Sequence, residues 1–204
     1  MLENLPPVVK NLVIINGIIF IFLFWVSSQP NMISLMEYFL LFKSDVLIGR
    51  GGYSGLFQPL QIVTHFFSHQ GIFHIAFNMM ALVSLGTGVE YVFGSRRFLE
   101  FYLFCGVVGG LIIAFFDPSP SPVLGASGAI SGVIVAFAFF FPHEKLSVFF
   151  LPPIESRWVA IAIGVISLLL VVFQVGGQIS HFGHLAGMIA ALMYFGIYKL
   201  KALL

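Results

Sequence analysis

The sequence predicts an all-α membrane protein, a six-transmembrane-helix bundle with a first external loop that lies in the membrane interface. Three observations predict it. Of 204 residues, 59% are hydrophobic and only 8% are charged, against about 25% charged in soluble domains. Six apolar segments are long enough to cross a bilayer, which takes about 20 residues, or fewer where a helix is buried among others. Basic residues fall in alternate connections. A mean hydropathy of +1.05 exceeds what a soluble core can absorb. No polar stretch is long enough to join two domains, so residues 1–204 read as a single membrane domain. The net charge of +1 gives no reason to expect nucleic acid.

The first span is expected at 11–28, after Lys10. Its apolar run, ending at Ser27-Ser28, imitates a signal peptide. The charge flank is weak and further spans follow, so an uncleaved helix is expected. External loop 29–71 is too polar to cross and too apolar to be a free linker. Phe39, Leu40, Leu41, Phe42, Leu47, Phe57 and Leu60 predict a partly helical interfacial lobe, with turns at Gly51-Gly52 and Gly55. The second span is expected at 73–94 and the third at 97–116. The single Cys105 lies in the third, so no intrachain disulfide forms and a buried inert thiol is expected. Asp117 to Leu124 carries Pro118, Pro120 and Pro122, which resist helix. It reads as irregular backbone dipping below the surface, shortening the fourth span to 127–142. The fifth and sixth spans are expected at 157–175 and 181–200. No internal repeat or low-complexity tract is present.

Positive charge orients the spans. Lys10, Arg96-Arg97, Lys145 with Arg157, and Lys199 with Lys201 mark cytoplasmic connections and ends, so both termini are expected inside. Loop 29–71 is then outside, despite Lys43 and Arg50, which Glu37 and Asp45 accompany. The starts of the second, fourth and sixth spans face outside as well. Polar groups at those starts, His74, Ser127 and His184, therefore share a side of the membrane.

Their chemistry follows from their neighbours. A hydroxyl and an imidazole are costly in lipid unless they face the protein interior. Ser127 lies in Gly125-Ala126-Ser127-Gly128 at a helix start, where free backbone N–H groups and the helix dipole favour an oxyanion. Taken alone, it reads equally well as an N-cap serine before small-residue packing. His184 lies in Gly183-His184-Leu185-Ala186-Gly187. Gly183 with Gly187 and Gly128 with Gly132 form small-residue faces that can pack together. Alone, His184 reads as a buried histidine bonded to a carbonyl; with Ser127 at matched depth, it reads as that serine's base. His74 and Asn78 are one helical turn apart and share a face. They suit either hydrogen bonds to a developing oxyanion or glue between helices. No carboxylate is placed to orient His184, so the simplest scheme is a Ser–His dyad.

Other chemistries fit less well. His65-Phe66-Phe67-Ser68-His69 has zinc-site spacing but lacks the Glu of H-E-x-x-H. No pair of aspartates lies within the spans. His65, His69, His181 and His184 are the remaining metal candidates, and the expectation is no metal and no cofactor.

These residues resemble the rhomboid intramembrane serine proteases. The resemblance rests on His74-x-x-x-Asn78, Gly125-Ala126-Ser127-Gly128 and Gly183-His184-x-x-Gly187, and runs from about Phe57 to the C-terminus. It implies Ser127 as nucleophile and His184 as general base. It implies His74, Asn78 and the Ser127 backbone N–H as the oxyanion site. His69 is similar to the family's histidine just before the second span, and Glu90 with Gly94 to its pattern at the cytoplasmic end. Three positions depart. Leu60-Gln61 stands where the family often has Trp-Arg, which leaves open how the external lobe is anchored. Ser131 stands where many members carry an aromatic that stacks on the histidine, so Phe182 or Phe77 would orient the ring. Ala191 stands at the second small position of the sixth span's Gly-x-x-x-Gly.

The resemblance implies cleavage of transmembrane-helix substrates near the outer leaflet, entering sideways past the fifth span and the loop from Gln174 to Ser180. A bacterial inner membrane is the expected location. The rival expectations are a catalytically silent relative that binds transmembrane helices, and a small transporter.

Overall fold

The computed structural model describes residues 4–43, 57–117, 119, 121–147, 152–175 and 180–198. It is mostly helical, and each apolar segment picked out above contains a helix: α1 (Pro7–Ser27), α2 (Ile72–Phe93), α3 (Ser95–Phe116), α4 (Ser127–Phe140), α5 (Ser156–Val172) and α6 (His181–Tyr198). By length and composition, α1, α2 and α3 can each cross a membrane; α4 and α5 are shorter apolar helices. The chain is a membrane protein.

α1 begins four residues before the expected start. Pro7 sits in its first turn, where a missing N–H costs nothing. The cap comes from far away in sequence. The Val8 and Val9 N–H groups donate to the two carboxylate oxygens of Glu90, at 3.0 and 2.8 Å. The Ser95 hydroxyl donates to the same carboxylate at 2.7 Å. A carboxylate that is 2% exposed is thus tolerated because it meets the positive end of a helix.

α2 is interrupted by a π turn at Leu82–Gly86. In a regular helix Asn78 and Glu90 would lie roughly 120° apart around the axis. One extra residue in the wide turn removes roughly 100° of that difference. Both side chains are buried, one on each side of the turn, as the rotation allows.

The core is α3, α4 and α6. Tyr102 and Cys105 of α3, Ala129, Val133 and Ala136 of α4, and Ala190, Ala191 and Tyr194 of α6 are buried in one cluster. Cys105 is a free buried thiol against Gly132, where an added Cβ would lie 2.5 Å from its sulfur. By contrast α1 exposes Ile18, Ile21 and Phe24, and α5 exposes Trp158, Val165 and Val172. Those are the apolar faces a bilayer would cover.

Among its described residues, the segment between α1 and α2 forms short helical turns at Pro30–Met32, Ile33–Met36, Glu37–Phe39, Gln61–Thr64 and His65–Phe67. Asp45, Leu47, Arg50, Gly51-Gly52 and Gly55, cited above, lie outside the described residues. So do Pro118, Pro120, Gly176-Gly177, Lys199 and Lys201. The approach to α4 is irregular as expected, and Val123 is pinned by an antiparallel bridge to Leu41, with bonds of 2.8 and 3.0 Å. An element the all-α expectation does not include is a small hairpin, β1 (Lys145–Leu146) with β2 (Ile154–Glu155), between α4 and α5.

Candidate active site

Ser127 is the first residue of α4. Two residues earlier, Gly125 has φ +120°, a conformation that L side chains rarely adopt. Its N–H donates to the His65 carbonyl at 2.9 Å. A Cβ at Gly125 would lie 2.8 Å from both Cε1 and Nε2 of His74, and 3.8 Å from the Ser127 hydroxyl oxygen. The missing side chain is thus what lets the His74 ring and the Ser127 hydroxyl share one small space.

His74 Nδ1 accepts from the Gln70 N–H at 3.4 Å. In a neutral ring the proton then sits on Nε2, the nitrogen beside Gly125. One turn on, the Asn78 side-chain NH2 donates to the His74 carbonyl at 2.9 Å, and its second proton keeps donor capacity. The His69 ring meets His74 edge-on, centroids 5.1 Å apart. His69 is buried with neither ring nitrogen hydrogen-bonded. Burial, helped by the neighbouring His74, lowers its pKa to about 4. Burial likewise lowers His65 to about 4, and its Nδ1 meets the Gln61 carbonyl at 2.8 Å. Both rings are neutral near pH 7.

Ser180 immediately precedes α6; its hydroxyl accepts from the Gly183 N–H at 3.0 Å while its carbonyl accepts from the His184 N–H at 3.2 Å. α6 then runs against α4 at backbone distance. A Cβ at Gly187 would lie 1.8 Å from the Gly128 carbonyl oxygen; one at Gly128 would lie 3.4 Å from the Gly183 carbonyl oxygen. The helices therefore touch one residue after Ser127 and on both sides of His184. Among the described residues, no hydrogen bond joins the Ser127 hydroxyl to His184. Nor do three or more His, Cys, Asp or Glu side chains gather there as a metal site.

Among the described residues, the His181 ring lies edge-on to His184, with centroids 6.1 Å apart. Phe182 instead packs with Leu41, Ile113 and Val123. Ser131, which has no ring to stack, donates its hydroxyl to the Ser127 carbonyl at 2.8 Å. The lobe's anchorage was also missed. The Gln61 amide, 1% exposed, donates to the Glu37 carbonyl and accepts from the Phe42 and Gln58 N–H groups. The signal was the polar residue at the Trp-Arg position itself. Lys43 pairs with Asp117, a partner that spacing along the chain does not suggest.

A Rhomboid domain family model matches residues 56–200. The chain belongs to the rhomboid family. It is 28% identical to Rhomboid protein 1, mitochondrial, of Saccharomyces cerevisiae, over 98% of this chain and 58% of the yeast protein. It is 44% identical to Rhomboid protease GluP of Bacillus subtilis, over 48% of this chain and 18% of that protein. It is 35% identical to the presenilin-associated rhomboid-like protein, mitochondrial, of Rattus norvegicus, over 48% of this chain and 26% of the rat protein. The rhomboid chain therefore spans well under two thirds of the length of these relatives.

Proposed function

We propose that this rhomboid chain is a six-span serine endopeptidase that cleaves transmembrane segments of protein substrates. The observation that carries this reading is the backbone contact of α4 with α6 at Gly128 and Gly187, with His74 set against Gly125. Ser127 Oγ attacks the scissile carbonyl carbon and His184 takes its proton. His74, Asn78 and the Ser127 backbone N–H hold the oxyanion. His184 then protonates the leaving amine, and water hydrolyses the acyl-enzyme. Water reaches the site from the external face, with both termini cytoplasmic. A substrate helix must unwind there to expose its carbonyl, so weak helix formers such as Gly are expected at the cut. Entry is sideways past α5, which among its described residues buries only Ser156 and Ser167.

The test is cleavage of a tagged model transmembrane substrate by the purified protein in detergent. Ser127→Ala and His184→Ala each abolish cutting; undiminished cutting by either rules out the dyad. Asn78→Ala lowers kcat more than it raises KM. A second reading, a silent rhomboid that binds transmembrane helices, draws on the lack of a Ser127–His184 hydrogen bond. Catalytic hydrogen bonds often tighten only with substrate bound, so that geometry does not decide. Labelling of Ser127 by a fluorophosphonate does. As to location, the yeast and rat relatives are named as mitochondrial, so the relatives do not favour the bacterial inner membrane expected above. Fractionation of the native host decides it.

A further inference from the structure

The external lobe grips the segment that leads into Ser127 at three successive points. Nearest the serine, the Gly125 N–H donates to the His65 carbonyl. Two residues earlier, Val123 exchanges both backbone bonds with Leu41. Earlier still, Lys43 reaches over the start of the segment. Its ammonium donates to the Ser119 carbonyl, to the Ser119 hydroxyl at 2.8 Å and to the Ser121 carbonyl at 2.8 Å. It also lies 3.5 Å from the Asp117 carboxylate, the two side chains being 3% and 1% exposed. Asp117 in turn accepts from the Ser119 N–H at 2.9 Å and from the Ser119 hydroxyl at 3.4 Å.

An ammonium buried to this degree is tolerated only when paired and hydrogen-bonded. Here two of the acceptors, beside the Ser119 hydroxyl and the Asp117 carboxylate, are the Ser119 and Ser121 carbonyls, which belong to the loop backbone and cannot swing away as a side chain can. Satisfying Lys43 therefore fixes the path of the backbone between α3 and α4. Among its described residues that path has no helix or sheet of its own to hold it, apart from the bridge at Val123. The segment delivers Gly125 against His74 and Ser127 against α6, where a displacement of about 1 Å can cost about 100-fold in rate.

We propose that Lys43, through Asp117 and the Ser119 and Ser121 carbonyls, is a positioning residue for Ser127. This rests on the protease reading above, and it concerns the lobe rather than the reacting atoms. Lys43 touches no substrate; it acts by holding the loop in register with α6.

The deciding variant is Lys43→Met combined with Asp117→Leu, which removes both charges and leaves neither buried alone. Expected is a kcat lowered roughly 10- to 100-fold, with KM unchanged within about twofold and the unfolding midpoint in detergent retained. A folded double variant whose kcat stays within about twofold of the unsubstituted chain overturns the proposal, leaving the pair as a structural tie alone. If the double variant does not fold, Asp117→Asn, which keeps the shape and an acceptor oxygen, is read by the same two criteria. A chain silent towards both substrate and fluorophosphonate before any substitution sinks the protease reading instead. Amide exchange at Val123 and Gly125 then decides the role of Lys43: faster exchange in the folded variant supports it, and unchanged exchange overturns it.

Discussion

α4 and α5 both pack on α6, and they do so in opposite ways. α4 meets it backbone to backbone, with Gly187 and Gly128 so close that no Cβ fits. α5 meets it through a side chain: a Cβ at Gly164 would lie 3.5 Å from the Met188 sulfur, an ordinary contact. α4 buries seven of its residues, among them Ala129, Gly132 and Ala136. Membrane helices have little hydrophobic force between them, so close packing and hydrogen bonds must hold them. The α4–α6 seam has that packing and the α5–α6 contact does not. The close seam carries the proposed nucleophile and base; the looser edge is the proposed entrance for a substrate helix.

Gly187→Ala is the strongest way to break this contrast. The added carbon meets a carbonyl oxygen of the facing backbone, and no rotamer change relieves it. The loss of stability is expected at or above the top of the roughly 1–3 kcal/mol usual for overpacking. Ser127 labelling is lost with it. A denaturation titration in mixed detergent reads the first effect and the fluorophosphonate probe the second. A variant as stable as the parent means the seam is not the rigid part.

Gly125→Ala sharpens the contrast by separating fold from site. It carries backbone strain of about 1–3 kcal/mol at φ +120°. It also drives a methyl group into the His74 ring. Most of the chain stays folded, while turnover falls at least about tenfold because His74 and Ser127 no longer share their space. Unchanged turnover removes His74 from the oxyanion site.

Glu90→Gln tests the far end of α2. The amide keeps one acceptor but loses the charge that binds the Val8 and Val9 N–H groups. A destabilisation of about 1–3 kcal/mol is expected, seen in the same titration. The rate per folded molecule stays unchanged, since Glu90 touches none of the site residues. A lowered rate means the π turn couples the two ends of α2.

Much of this was legible in the sequence because the bilayer restricts the choices. Apolar length placed the helices to within a few residues, and the glycines around Ser127 and His184 marked a seam that the structure contains. What was not legible depended on contacts distant in sequence. Glu90 reads as a residue of the second span; that it caps α1 requires knowing that α1 lies beside it. That Lys43 also pairs with Asp117, at the end of α3, requires knowing that the two segments meet. The π turn at Leu82–Gly86 contains no proline, and Gly86 by itself does not announce a widened turn. His181 reads as a metal candidate; the helix sets its ring edge-on to His184.

Gly164→Ala is the mildest test and the one that probes α5 directly. Alanine is the better helix former by about 1 kcal/mol in water. The sulfur it approaches belongs to a flexible thioether that can shift by a few tenths of an ångström. Stability should therefore move by no more than about 0.5 kcal/mol in either direction. The same one-carbon addition that separates α4 from α6 is thus absorbed one helix away, on α5. If α5 is the entrance, stiffening it at Gly164 lowers kcat/KM for a transmembrane substrate while labelling by a small fluorophosphonate, which needs no lateral entry, continues at the parent rate. Equal losses on both probes would mean that α5 supports Ser127 as closely as α6 does, and that the substrate enters elsewhere.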